Sequence, residues 1–171
     1  MLTSTKPIII TIKNTSELEA ALVKASEHHG LSRHLALREI GAALLGSSHE
    51  ELVVSLLDTN SIGPVVCETA LFMLYELFHL VDGIDNYLEK QANSIVEHLG
   101  KWLSLEYSES QKIAAIALAS HMLSHLRCEI EYEVANILHE KLNFIKHLTP
   151  DSVLGKTAFS LAEDMIDHNY V

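Results

Sequence analysis

Two stretches of this chain carry the same apolar stripe. Leu88, Ala92, Val96 and Leu99 recur at i, i+4, i+8 and i+11, and Val134, Leu138, Leu142 and Ile145 repeat that spacing 46 residues later. A stripe of this period is the inward face of an amphipathic helix. The residues before each stripe agree at the same offset: Leu77, His79, Leu80 and Ile84 fall on Leu123, His125, Leu126 and Ile130. Helices with one apolar side must bury it against other helices. The pattern therefore predicts an all-α fold of antiparallel helical hairpins, with approximate helix spans 64–82, 84–103, 109–127, 129–148 and 151–169. Asp82-Gly83 and the stretch from Glu106 to Ser110 mark the joints, and Pro150 sits at the start of the last helix.

Upstream the pattern is shorter. Pro7–Ile12 is rich in β-branched residues and predicts one strand, which needs a partner for its backbone groups. A homodimer through that strand is one way to supply it. Thr15 or Ser16 is expected to cap a helix with the face Leu18, Ala21, Leu22 and Ala25, ended by Gly30. Ser32 is expected to cap a second, with Leu35, Ala36, Ile40, Ala43 and Leu44 inside and Gly46 as its stop. A third follows Ser47 or Ser48 and buries Leu52, Val53, Leu56 and Leu57. The polar link from Asp58 to Pro64 is the best candidate boundary between an N-terminal lobe, 1–58, and a hairpin lobe, 64–171, the alternative being one continuous domain. Further along, Leu71, Leu74, Leu77, Leu80, Ile116, Leu123 and Leu126 join the stripes in the expected core.

Antiparallel helical pairs repeating every 40–47 residues resemble HEAT and armadillo arrays, and an irregular helical bundle fits the same stripes. The segment LSRHLALREIGAALLG followed by EEL, within 31–56, resembles a small helical domain labelled glyoxalase-related, common in proteins of mobile elements. Members usually carry an aromatic after the glycine and a Trp before the last Leu, where this chain has serines and His49. That resemblance implies no catalytic residue; it implies an origin in a bacterial plasmid or conjugative element.

Between residues 39 and 89 there are nine carboxylates and no Lys or Arg, within a chain of net charge −11. Such a segment repels nucleic acid and anionic membranes and attracts a basic protein or peptide surface. Glu50 and Glu51 are first-turn acids suited to a helix dipole, and Asp58 belongs to the link. The expected partner-binding residues are therefore Glu68, Glu76, Asp82, Asp85 and Glu89. Cys67 and Cys128 are the only cysteines, too few for a disulfide scaffold. No apolar run is long enough to span a bilayer. The expectation is a soluble, cytoplasmic protein.

Residues 37–57 have the outline of a helix-turn-helix, but the first turn of its second helix would be Ser48-His49-Glu50-Glu51, which opposes phosphate. His121, His125 and Glu129 stand at i, i+4 and i+8, so all three share one helical face, and neutral imidazoles with a carboxylate suit zinc or iron. Glu76 and His79 form a single ExxH, where a di-iron bundle needs two. No GxSxG, GxGxxG or GxxxxGK occurs, and Ser120 and His121, as sequence neighbours, point about 100° apart on a helix. Trp102, at the offset of Leu148, is expected inside. These readings converge on a non-catalytic, acidic helical interaction module with no cofactor, the alternative being a histidine–carboxylate metal-binding protein.

Overall fold

The computed structural model describes residues 11–47, 64–77, 84–104 and 107–171. Among them the chain forms eight α-helices and no strand: α1 (Thr15–Ser26), α2 (Gly30–Ser47), α3 (Pro64–Leu77), α4 (Ile84–Lys90), α5 (Ala92–Lys101), α6 (Glu109–Ser120), α7 (Tyr132–Leu148) and α8 (Val153–Asp167). A π-helical turn, His121–His125, extends α6. No described helix is long and apolar enough to cross a membrane. The strand expected at 7–12 falls almost wholly outside the described residues; Ile12 itself is buried in the core. The third helix and the link to Pro64 lie outside them too.

Local chemistry sets the helix starts. Asn14, in extended conformation, caps α1 in place of Thr15 or Ser16: its side chain accepts the Glu17 N–H at 2.9 Å. Glu17 answers by accepting the Lys13 N–H at 2.8 Å, so two otherwise orphan donors are satisfied. At α6 the exchange is fully reciprocal: Ser108 Oγ accepts the Gln111 N–H and Gln111 Oε1 accepts the Ser108 N–H, a capping box. Ser152 caps α8 by accepting the Gly155 N–H at 2.9 Å, leaving Pro150 in the turn before the helix. Gly30, at φ +57°, makes the left-handed turn that leads from α1 into α2.

The apolar stripes land where their periods place them. Leu88, Ala92, Val96 and Leu99 are buried, as are Val134, Leu138, Leu142 and Ile145. On α1, Leu18, Leu22 and Ala25 point inward. On α2 the inward row is Leu37, Ile40 and Leu44; Leu35, expected inside, is 48% exposed. Two residues along a helix is a rotation of about 200°, so Leu35 cannot share a face with Leu37. Arg33 joins that row instead, its guanidinium 4.8 Å from the Phe72 ring centre on α3.

Packing runs from α1 and α2 onto α3, from α3 onto α6, and from α6 onto α8; α5 packs on both α6 and α7, and α7 on α8. Buried residues from Ile12 through Met165 belong to one hydrophobic cluster, so the core is continuous across the link at 58–64. Trp102 is fully buried and stacks on Tyr107, ring centres 5.0 Å apart.

Two expected helices are interrupted. The span 84–103 breaks between α4 and α5 at Gln91, where neither Gly nor Pro marks it. The span 109–127 leaves α-helical geometry at His121 and ends where Arg127 adopts φ +54°.

Candidate functional site

The second interruption positions the residues of greatest chemical interest. In the π turn the Leu126 N–H reaches back five residues to the His121 carbonyl at 3.0 Å, and the Cys128 N–H reaches six, to Met122, at 2.9 Å. The wider turn brings His121 and His125 almost into register, and their rings stack at 5.2 Å. Arg127, a non-glycine residue in the left-handed region, costs conformational energy. Its own Nε donates to the Ser124 carbonyl at 3.2 Å, which offsets some of that cost. The Tyr170 hydroxyl lies against the same joint, 2.7 Å from the Cys128 carbonyl and 3.3 Å from that of Leu123. Ser124 Oγ donates to Asp164 Oδ2 at 2.9 Å, which fastens the turn to α8.

Asp85, in the first turn of α4, meets this joint: its Oδ1 is 3.2 Å from His121 Nε2. The histidine side chain is largely buried and the carboxylate about half exposed. Glu89, one turn further along α4, is exposed. Cys128 lies beneath them, and its thiol is pushed up from an ordinary 9.0 to about 11, first by burial and next by the Glu89 carboxylate. Its own backbone hydrogen bond opposes the rise, and Asp85 adds to it. A buried thiol held protonated is a poor nucleophile.

The sequence-derived site residues therefore divide. Asp85 meets His121, and Glu89 stands one turn further along the same helix. Glu68 sits elsewhere, on α3, where it accepts from Gln111 Nε2 at 3.4 Å and helps hold α3 to the start of α6. Glu76 falls within α3, but its side chain lies outside the described residues, as does all of Asp82. The expected face of His121, His125 and Glu129 does not form: the helix ends before Glu129, which is exposed in the loop ahead of α7. Among the described residues no three His, Cys, Asp or Glu side chains converge as metal ligands would.

Sequence reasoning missed three participants. Tyr170 gave no signal, being a terminal aromatic whose role depends on the carbonyls of a turn. Arg127 gave none either, since a left-handed backbone is usually marked by Gly or Asn. The third was legible: besides its buried stripe, α7 carries a second row of large apolar residues, Ile137, Phe144 and Leu148, all exposed. An open groove of about 510 Å³ runs between α1 and α2, with Ala21, Ala25, Ala36 and Ile40 along it and Lys24, His28 and Glu39 around them.

Compared with known proteins, the chain matches no family model, and no curated protein and no solved structure is significantly similar to it, so the glyoxalase-related likeness of 31–56 rests on pattern alone.

Proposed function

We propose that this chain is a non-catalytic, HEAT-like stack of helical hairpins that binds a basic protein or peptide on an acidic face. Asp85 and Glu89 are the described centre of that face; Glu76 and Asp82 are further acids that the sequence assigns to it, and Glu68 lies apart, against Gln111 at the start of α6, where Asp85 meets His121 beyond its end. The observation that carries the reading is electrostatic. Asp85 and Glu89 stand at i and i+4 on α4, the first about half exposed and the second exposed, so two carboxylates share one face of that helix. The neighbour relations agree with a stack: α3, α6 and α8 follow one another, and α5 and α7 pack beside them. The histidine–carboxylate metal reading has no comparable support, because Glu129 leaves the helix that was to align it with the histidines.

The test is calorimetric titration of a Lys-rich peptide into the protein at low and high salt, with Asp85→Asn/Glu89→Gln alongside. Wild-type binding is expected to weaken steeply with salt, since exposed charges are screened beyond about 10 Å at 0.1 M. The double variant is expected to lose several-fold in affinity at low salt, on the order of 1 kcal/mol. Binding that ignores salt, or an unaffected double variant, overturns the proposal.

A further inference from the structure

α7 has two apolar faces and the fold uses one. Its inner stripe, Val134, Leu138, Leu142 and Ile145, is buried against neighbouring helices. Ile137, Phe144 and Leu148 form a second row that is 52%, 53% and 56% exposed. With Lys141 this row reads i, i+4, i+7 and i+11, the spacing by which one helix seats another. Lys141 does not break its apolar character: the ammonium is drawn away to the carbonyl of Gly100 at the end of α5, 2.7 Å distant, leaving the methylene stem beside the row.

Charge and area decide the occupant. Glu133 and Glu140, both exposed, stand one turn before Ile137 and Phe144 respectively, so carboxylates edge the row. The start of α7 is also tied to the helix that follows the acidic pair. The Glu131 N–H donates to Asn93 Oδ1 at 2.9 Å, which holds the start of α7 against the start of α5, four residues after Glu89. The three exposed side chains offer on the order of 300 Å² of apolar surface, the size of a functional patch on a monomer. Three anchors at helical spacing are how an amphipathic helix is seated, whereas a stable dimer engages about 20–30 residues a side, so a single helix fits this row better than a second copy.

We infer that the Ile137–Phe144–Leu148 face of α7 is the seat for an amphipathic helix of the partner, whose Lys or Arg residues flank its apolar stripe and meet Glu133 and Glu140. The inference rests on the acidic-docking reading and names the partner's class.

The test is fluorescence anisotropy with a labelled Leu/Lys amphipathic peptide of about 16 residues, roughly four helical turns, and a scrambled peptide of the same composition. The proteins compared are wild type, Ile137→Gln/Phe144→Ser, and Asp85→Asn/Glu89→Gln. Both altered pairs are at the surface, and circular dichroism confirms that each variant folds. The amphipathic peptide is expected to bind wild type in preference to the scrambled one, and Ile137→Gln/Phe144→Ser to lose roughly tenfold or more, as for a central interface anchor. If both peptides bind equally and only Asp85→Asn/Glu89→Gln weakens them, the α7 seat is overturned while the acidic-face reading stands. If no protein binds either peptide, both fall. Dimerisation of the free protein that Phe144→Ser abolishes also overturns the seat, because the face is then covered by a second copy.

Discussion

Gly155 occupies the first turn of α8, and a Cβ built on it would run into the Thr149 carbonyl group and crowd Pro150. Two effects of an added methyl oppose each other there. Alanine favours a helix over glycine by up to about 1 kcal/mol, whereas overpacking costs about 1–3 kcal/mol. The obstructing atoms are backbone and belong to the turn that holds α7 and α8 together, so they cannot step aside as a side-chain end would. The clash wins, and Gly155→Ala is expected to lower the melting temperature by roughly 4–8 °C, taking about 2 kcal/mol and the usual 2–4 °C per kcal/mol for a chain of this size. Gly100→Ala is the control, since a Cβ there meets nothing within 4 Å. It is expected to leave the melting temperature unchanged or raise it slightly; an equal drop in both variants overturns the steric account.

Among elements, the joint at the π turn gathers two groups whose protons are held to high pH, Cys128 and Tyr170. Burial raises the Cys128 thiol to about 11 and also raises the Tyr170 hydroxyl above its usual value. A thiol that keeps its proton longer in the folded state than in the unfolded state stabilises the fold fully below about pH 9. That contribution is lost as pH climbs from 9 towards 11, because the unfolded chain then sheds protons first. Denaturant unfolding measured from pH 8 to 11 is expected to show declining stability, with a shallower decline in Cys128→Ala; parallel slopes overturn the assignment. This joint also shows what the sequence could and could not convey. Periodicity reports which face of a helix is apolar, so Leu88, Val96, Leu138 and Leu142 were readable as core. It is silent on where a helix changes its winding, because that depends on distant groups such as Tyr170 that take up the carbonyls released by the wider turn. The ligand face of His121, His125 and Glu129 failed for that reason: it assumed ideal winding through a joint where the winding changes. The same limit affects the 46-residue offset, which pairs Trp102 with Leu148. Trp102 is fully buried and Leu148 is 56% exposed, so the pairing loses its meaning at the helix ends, where the two hairpins meet different neighbours.

For the molecule as a whole, the question is whether its helices unfold together. A stack in which each hairpin touches only the next can lose its ends first, and among the described helices α1 packs mainly on α2 and α3, while α3 in turn packs on α6. Against that, the buried residues of α1 and those of α8 belong to one continuous hydrophobic cluster, and continuity of the core is what couples the regions of a domain. Leu22 on α1 and Trp102 after α5 are both fully buried members of that cluster on different elements, so each reports on its own part of it. Leu22→Ala removes a core side chain at a cost of about 2–5 kcal/mol, which corresponds to a fall of roughly 5–15 °C in melting temperature. With a shared core, far-UV circular dichroism and Trp102 fluorescence fall together, in wild type and in Leu22→Ala alike. If Leu22→Ala instead splits the transition, so that some of the helical signal melts early while Trp102 stays at the wild-type midpoint, then α1 and α2 form a lobe that folds independently of the hairpins carrying Asp85, Glu89 and α7. The docking surface would in that case survive deletion of the first helices; with a shared core, the same deletion abolishes it.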